Sequence, residues 1–306
     1  MKLAVYTDGL AHLDIEGVAQ FCSQAEIDGV ELGCGNWSPA PHVELDRLLG
    51  SEAARTELVD ALTDSGVEIT MLNCSGNQLD PGPNGALHAA TMRKTIELAG
   101  LLGHDTIVAM SGLPGALPTD QAANWITTTW PPENLERLEY QWMEVAIPFW
   151  REMVRYAHDH GVNRIALENH GHQLVYNSTT LLRLRDAVGS AIGANLDPSH
   201  LLWMGGDPVE TVRRLGPAIF HLHAKDTIIR SGHATDGCLS DEPHGTSTRS
   251  WEYAAPGQGH DGQWWEQFIT EAATHTQARA ISIEHSNQAE IAEAAKMLRG
   301  LAILGG

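Results

Sequence analysis

Residues 164–200 decide the fold, and they read RIALENHGHQLVYNSTTLLRLRDAVGSAIGANLDPSH. The stretch begins with a short apolar run, Arg164–Glu168, and ends with another, Ile192–Asp197. Between the two runs lies an amphipathic pattern, Thr179–Val188, which stops at Gly189, a residue typical of helix ends. A strand, a helix and a second strand in this order are typical of one β/α unit of a parallel sheet.

The same alternation extends along the whole chain. Most predicted strands are continuous apolar runs, which indicates that both faces of the sheet are covered. Eight such units in 306 residues predict an α/β fold, a (β/α)8 TIM barrel formed by residues 1–306 as a single domain. The predicted strands are Lys2–Thr7, Gly29–Gly33, Glu68–Asn73, Thr106–Met110, Arg164–Glu168, Ile192–Asp197, Ile219–His223 and Ala280–Glu284. The predicted helices are Ile15–Ala25, Ala53–Ser65, His88–Leu102, Met143–His160, Thr179–Val188, Pro208–Leu215, Gln263–Thr274 and Ala289–Leu301.

Two insertions interrupt this alternation. Gly112–Gln141 follows strand four, and Thr227–Gly262 follows strand seven. Both would lie at the carboxyl ends of strands, where barrel enzymes carry their active sites. A dinucleotide-binding open sheet is disfavoured, because no Gly-x-Gly-x-x-Gly run follows the first strand and Gly33-Cys34-Gly35 does not lead into a helix.

The composition limits the classes of function. Lys and Arg total 19 against 39 Asp and Glu, and the resulting charge of −20 disfavours nucleic acid as a partner. No apolar run approaches the ~18 residues of a membrane span, and the first residues do not resemble a signal peptide. The four cysteines lack paired spacing, which argues against a disulfide framework. We therefore expect a cytoplasmic protein that binds neither nucleic acid nor membrane.

Acidic and histidine side chains end the last four predicted strands. They are Glu168, Asp197, His223 and Glu284, separated by 29, 26 and 61 residues. The first two spacings match one β/α unit and the third matches a unit plus the insertion, so the four side chains should meet at one level of the barrel. A helix cap or an ion pair would explain any one of them, but three clustered carboxylates repel each other unless a cation lies between them. An oxygen-rich set with one nitrogen suits Mn²⁺, Mg²⁺ or Co²⁺.

The segments around these residues resemble the xylose-isomerase-like sugar isomerase/epimerase superfamily, and the resemblance runs in register along nearly the whole chain. The superfamily includes ketose 3-epimerases, inosose isomerases and dehydratases, hydroxypyruvate isomerases, the endonuclease IV group and the deglycosidases of 3-oxo C-glycosides. The resemblance implies that Glu168, Asp197, His223 and Glu284 bind one divalent metal ion, with Mn²⁺ expected ahead of Mg²⁺ or Co²⁺. It rests on the segments Leu167–His170, Leu196–His200, His221–Asp226, Ile283–His285 and Pro256–Asp261.

The resemblance also implies roles for individual residues. In the ketose epimerases, two glutamate ligands form the acid/base pair, which makes Glu168 and Glu284 the catalytic candidates. His200 is implied as a substrate contact, and its alternative role is to orient Asp197. His170 would share the side of Glu168 in an extended strand. A histidine at a matching spacing is the proposed base of the deglycosidases, and the alternative for His170 is to anchor the barrel rim.

Further candidates lie near the strand ends. Lys225 is a candidate substrate contact, although a loop-ordering pair with Asp226 is favoured. We expect His221 to face the helix layer as a packed histidine. His260 is expected at the mouth of the pocket. Trp37, in a loop at the carboxyl ends of the strands, would either cover a sugar face or pack against the barrel.

These observations predict a metal-dependent sugar isomerase or epimerase that removes a proton α to a carbonyl through a metal-stabilised enediolate. The main alternative is a lyase, either a dehydratase of an inosose or a deglycosidase of a 3-oxo-glycoside, because the same enolate can expel a β substituent. A nuclease of the endonuclease IV type is disfavoured, since Asn73 and Ser111 lie where that group has histidine ligands. A non-catalytic sugar-binding subunit is also disfavoured. The expected partner is a small sugar or glycoside, and a homo-oligomer or a small second subunit stays open.

Overall fold

A closed barrel of eight strands forms the centre of the computed structural model, which describes residues 1–301 and 304. Strands β1 to β7 and β10 follow one another around the barrel in chain order, and β8 and β9 form a separate sheet. The prediction of a (β/α)8 barrel is confirmed. The strands are β1 (Lys2–Tyr6), β2 (Gly29–Gly33), β3 (Glu68–Asn73), β4 (Thr106–Met110), β5 (Arg164–Glu168), β6 (Ile192–Leu196), β7 (Ile219–Ala224), β8 (Asp226–Ile229), β9 (Trp251–Ala254) and β10 (Ala280–Ile283).

The barrel strands agree with the predicted ones to within a residue at their ends. Every residue of β2, β4, β6, β7 and β10 is buried. Side chains of successive residues point alternately to the barrel interior and to the helix layer, so neither face of such a strand meets water. This is why these strands are recognisable as continuous apolar runs.

The strand register sets the height of the strand ends. Neighbouring strands are parallel, and Glu168 pairs with Met110 on one side and with Asn195 on the other. On another part of the barrel, Ser282 pairs with His223. Asp197 and Glu284 lie two residues beyond Asn195 and Ser282, at the carboxyl ends of their strands.

Helices surround the barrel, and their starts are capped. Asn177 forms a capping box with Thr180, and Asp207 accepts hydrogen bonds from the first turn of its helix. No helix within the described residues is long and apolar enough to cross a bilayer. The helices are α1 (Ile15–Gln24), α2 (Leu45–Gly50), α3 (Glu52–Thr63), α4 (Pro83–Leu101), α5 (Glu133–Glu139), α6 (Ile147–Asp159), α7 (Ser178–Val188), α8 (Pro198–Trp203), α9 (Pro208–Leu215), α10 (His233–Asp236), α11 (Gly262–His275) and α12 (Gln288–Arg299). Single turns of 3-10 helix occur at Thr7–Leu10 and Gly216–Ala218, and Tyr140–Ala146 is a π-helix.

The two insertions are ordered in different ways. In the first, the side-chain amide of Gln141 donates to the carbonyl oxygens of Pro114, Gly115 and Asn124 at 3.1, 3.3 and 2.7 Å. In the second, β8 and β9 pair antiparallel. The sequence analysis did not predict this pairing, because a long segment separates the two strands instead of a short turn.

Contacts within the chain group into two compact units. One comprises Met1–Glu31, Val59–Thr70 and Leu196–Gly306, and the other comprises Leu32–Leu58 and Met71–Asn195. The boundaries between them along the chain fall inside β2, α3, β3 and β6. The extent of a single domain over residues 1–306 stays a prediction.

Candidate metal centre

Four side chains at the carboxyl ends of the barrel strands lie close together. Glu168 is the last residue of β5, Asp197 follows β6, His223 belongs to β7 and Glu284 follows β10. One potential ligand atom of each residue lies within 4.8 Å of those of the other three. The structure therefore brings together the four residues that the sequence analysis predicted as metal ligands.

This donor set fits a divalent cation. Glu168, Asp197 and His223 are 3%, 0% and 1% exposed. The side chain of Glu284 is 25% exposed, which makes it the ligand candidate that a solute can reach. Buried carboxylates this close together repel each other, and a divalent ion would balance two of their three negative charges. Three carboxylates and an imidazole are ligands that Mn²⁺, Mg²⁺, Co²⁺ and Zn²⁺ all accept.

Lys225 places a cation of the protein next to these carboxylates. Its Nζ lies 2.7 Å from Oε1 of Glu284, 4.0 Å from Oδ2 of Asp197 and 4.6 Å from the centre of the Tyr253 ring. The prediction that Lys225 pairs with Asp226 is wrong, because consecutive residues of an extended segment point to opposite sides. Lys225 therefore belongs to the acidic group, and its contact with a substrate stays a prediction.

His200 lies next to Asp197 and is completely buried. Its Nε2 is 3.1 Å from Oδ2 of Asp197, and its Nδ1 is 2.9 Å from the hydroxyl oxygen of Tyr253. The other oxygen of Asp197 accepts a hydrogen bond of 2.8 Å from the backbone N–H of Ser199, which caps α8. These contacts are the ones required for orienting Asp197. A direct contact of His200 with a substrate stays a prediction.

Asp226 organises the segment Gly257-Gln258-Gly259, which precedes α11. Its buried Oδ2 accepts hydrogen bonds from the backbone N–H groups of Gly257, Gly259 and His260 at 3.2, 3.1 and 2.9 Å. Its Oδ1 lies 2.7 Å from Nδ1 of His260. The side chain of His260 is 24% exposed, so it is held by Asp226 and still reaches the surface. Its role in substrate binding stays a prediction.

Replacing Gly259 by alanine should destabilise the protein. The added Cβ would lie 2.3 Å from the carbonyl oxygen of Thr227 and 2.7 Å from Oδ1 of Asp226, so the segment would have to move. Overpacking of this kind costs about 1–3 kcal/mol, which urea unfolding measures. Gly50→Ala is the matched control, because its Cβ would meet nothing within 4 Å among the described residues. Equal stability of Gly259→Ala and wild type would contradict the close approach.

A buried glutamate in β2, Glu31, lies beside His223, and the sequence analysis did not single it out. Its Oε1 is 3.1 Å from Nε2 of His223, and its Oε2 is 2.8 Å from Nε2 of His221. The expectation that His221 faces the helix layer is therefore wrong, because residues two apart on a strand point to the same side. The signal that could have revealed Glu31 is its place in the apolar run Gly29–Gly33, since a buried charge requires a partner.

The surroundings of Glu31 keep it ionised. Burial alone would raise the pKa of its carboxyl group. The charges and hydrogen bonds of His223 and His221 outweigh burial and hold the pKa of Glu31 well below its ordinary value. Glu31 is therefore a carboxylate at neutral pH and acts as a hydrogen-bond acceptor.

His170 and Trp37 lie in loops. Because β5 ends at Glu168, the argument from an extended strand does not apply to His170, whose Nδ1 contacts the carbonyl oxygen of Gly171. Trp37 follows β2, is 54% exposed and packs edge-on against His88 with ring centres 6.4 Å apart. The catalytic role of His170 and the sugar contact of Trp37 stay predictions.

Neutral side chains occupy the positions where a nuclease of this fold would carry further histidine ligands. Oδ1 of Asn73 accepts a hydrogen bond from the backbone N–H of Ser75, and Oγ of Ser111 accepts one from that of Val175. Burial raises the pKa of the neighbouring Cys74 thiol to about 12, so this thiol stays protonated. These side chains support the loops at the ends of β3 and β4.

The barrel and its group of carboxylates and histidine define the class of protein, a (β/α)8 barrel with a candidate metal centre at the carboxyl ends of its strands. Residues 19–301 match the sequence model of the xylose isomerase-like TIM barrel family. The chain belongs to this family, as the resemblance predicted. It is 50% identical over 274 residues to YfiH of Bacillus subtilis (strain 168), which is described as an uncharacterized protein, and the match covers 88% of both chains.

Three solved structures share the fold at low sequence identity. The probable 3-DHS dehydratase AsbF of Bacillus anthracis has a TM-score of 0.65 and 21% identity, with 98% of both chains covered. The IolI protein with a bound zinc atom has a TM-score of 0.65 and 18% identity, with 99% of this chain and 97% of that chain covered. D-psicose 3-epimerase, solved in the presence of D-fructose, has a TM-score of 0.61 and 14% identity, with 100% of both chains covered.

Proposed function

We propose that this protein is a divalent-metal-dependent sugar isomerase or epimerase that removes a proton α to a carbonyl. The observation that carries the proposal is the group of Glu168, Asp197, His223 and Glu284, whose potential ligand atoms lie within 4.8 Å of one another. Membership of the xylose isomerase-like family supports it. The fold neighbours add support, because they include a 3-epimerase and a protein with bound zinc.

The four residues would hold the ion, with Mn²⁺ expected first. When bound, a divalent ion polarises a carbonyl oxygen and supplies several kcal/mol towards the negative charge that develops on it. The N–H of Ser199 holds Oδ1 of Asp197 by a hydrogen bond, and Nε2 of His200 lies 3.1 Å from Oδ2. A ligand held in this way loses little conformational freedom when it binds.

Glu284 and Glu168 form the proposed acid/base pair. Glu284 is the accessible member, and Lys225 holds its Oε1 at 2.7 Å. A cation beside a carboxyl group favours the ionised form of that group, and the ionised form is the one that accepts a proton. One glutamate takes the proton from the substrate carbon. The other, protonated at the start of the reaction, gives its proton to the opposite face of the carbon and so inverts the configuration.

A lyase is the second candidate, and a cavity between the first insertion and the segment that leads into α7 favours it. This cavity has a volume of about 160 Å³, close to that needed for one six-membered ring. Its lining includes Trp125, Trp142, Leu174 and Tyr176. Two polar atoms of the lining residues, Oε1 of Gln173 and Nε1 of Trp125, have no hydrogen-bond partner within the described part of the chain. A ring-bearing leaving group would suit such a cavity.

Incubation with free ketoses in D₂O distinguishes the two candidates. The Mn²⁺-loaded protein should introduce deuterium at carbon and produce an epimeric or isomeric sugar, which NMR detects. Glu284→Gln is the matched variant and should form both products more slowly, by a factor of about 10²–10⁴. Absence of exchange with every ketose, together with release of a ring-bearing group from a 3-oxo-glycoside, would reject the isomerase and support the lyase.

A further inference from the structure

The two nitrogens of His223 face different carboxylates. Nδ1 lies 2.9 Å from Oε2 of Glu284, on the side of the four ligand candidates. Nε2 lies 3.1 and 3.2 Å from the two oxygens of Glu31. An imidazole that binds a cation through one nitrogen carries its proton on the other nitrogen. Here the other nitrogen meets a buried acceptor.

We infer that Glu31 is a positioning residue, which accepts the Nε2–H of His223 and thereby presents Nδ1 to the metal ion. The inference rests on the metal site of the proposed function. It adds a residue outside the ligand set that determines how tightly that set binds. Glu31 acts through His223 and has no role in the proton transfer itself.

Glu31 is itself held in place by neighbouring strands. Nε2 of His221 lies 2.8 Å from its Oε2, and Oγ of Ser282 lies 2.9 Å from the same nitrogen. The register of the barrel strands determines these contacts. In the pair of β2 with β1, Glu31 lies opposite Tyr6, and in the pair of β10 with β7, Ser282 lies opposite His223. The Tyr6 ring also stacks on the His223 ring, with centres 6.2 Å apart. Glu31 and the imidazole therefore have little freedom to turn.

The chemical consequence is a stronger nitrogen ligand. A carboxylate that accepts the N–H of a ligating histidine selects one tautomer and increases the basicity of the other nitrogen. Loss of such a partner typically lowers metal affinity by about 10–100-fold. Because Glu31 is buried, water has no easy access to replace it.

Metal titration of the full-length protein tests the inference, with Mn²⁺ alone as the probe. Glu31→Gln keeps the shape of the side chain but removes its charge, and it should weaken Mn²⁺ binding by about 10–100-fold in calorimetry. Glu271→Gln is the matched control, because it makes the same change in a surface ion pair between α11 and Arg213, outside this network, and its affinity should stay close to that of wild type. An unchanged affinity of folded Glu31→Gln would overturn the inference.

A second measurement needs no variant. Nitrogen-15 NMR of the wild-type protein loaded with diamagnetic Zn²⁺ should show the proton of His223 on Nε2, and a proton on Nδ1 would overturn the inference. The stoichiometry should be one ion per chain. Two ions per wild-type chain but one per Glu31→Gln chain would assign the neighbouring group of Glu31, His221 and His223 to a second ion and would also overturn it.

These results separate the inference from the proposed function. If Glu31→Gln binds Mn²⁺ as tightly as wild type, the positioning role of Glu31 is rejected and the proposed reaction is unaffected. If the wild-type protein binds Mn²⁺ and His223 carries its proton on the nitrogen that faces Glu31, but no ketose proton is exchanged, the proposed reaction is rejected and the positioning role stands. A wild type that binds no divalent ion overturns both.

Discussion

Glu284→Gln is expected to lower kcat for the proposed proton transfer by a factor of about 10²–10⁴, the usual contribution of a positioned general base. The amide has the size of the carboxylate, and its oxygen can still accept a hydrogen bond from Lys225, which lies 2.7 Å from Oε1 of Glu284. It cannot accept a proton from carbon. Glu168→Gln should have an effect of the same order, since the two residues share the acid/base work.

Glu284 and Glu168 are also proposed metal ligands, so a lower rate caused by lost metal has to be distinguished from a lower rate caused by the lost base. Rates are therefore measured at saturating Mn²⁺, and the bound metal is quantified in each variant. Glu271→Gln, on α11, is the control, because it removes a carboxylate from a surface ion pair with Arg213 of α9 and should leave kcat unchanged. Full activity of metal-loaded Glu284→Gln and Glu168→Gln would show that neither residue is the base.

Removal of the divalent ion is expected to lower the rate at least about a thousandfold. Lewis-acid stabilisation contributes several kcal/mol, and each 1.4 kcal/mol corresponds to about a factor of ten. Treatment with a chelator followed by Mn²⁺ should abolish and then restore the activity. Because the ion would bind the folded chain, Mn²⁺ at about one hundred times its Kd should also stabilise the protein by about 2.7 kcal/mol. A rise of the melting temperature measures this stabilisation.

Asp197→Asn tests whether this ion occupies the proposed site. The amide oxygen can still cap α8 through Ser199, so the local structure is retained, but a buried ligand charge is lost. Mn²⁺ should then cause a much smaller rise of the melting temperature than in wild type. A chelated, metal-free wild type with full activity, or an unchanged Mn²⁺ response in Asp197→Asn, would contradict the proposed metal dependence.

The strands and the ligand candidates were predictable for related reasons. A barrel strand is covered on both faces, so the runs that form β5 and β6 are mostly apolar and end where the chain reaches the polar rim. The residues at these ends are polar against an apolar background, which makes Glu168 and Asp197 conspicuous. Their spacing of one β/α unit then predicts that they meet.

The errors concern the direction of side chains and pairing over long distances. Lys225 contacts Glu284, because it points to the opposite side from Asp226. The hairpin of β8 and β9 joins segments that no short turn connects. Glu31 contacts His221, which is 190 residues away in the chain. Local patterns carry no information about such partners.

The amino-acid sequence by itself determined the eight β/α units, the closed barrel and the identity of the four ligand candidates, because burial on both faces and repetition of one unit leave periodic, local signals. Only the tertiary structure decided that His200 lies beside Asp197, and that Glu31 contacts both His221 and His223. These contacts depend on which strands are neighbours and on their register. A register shift of one residue would turn each side chain to the other face of its strand.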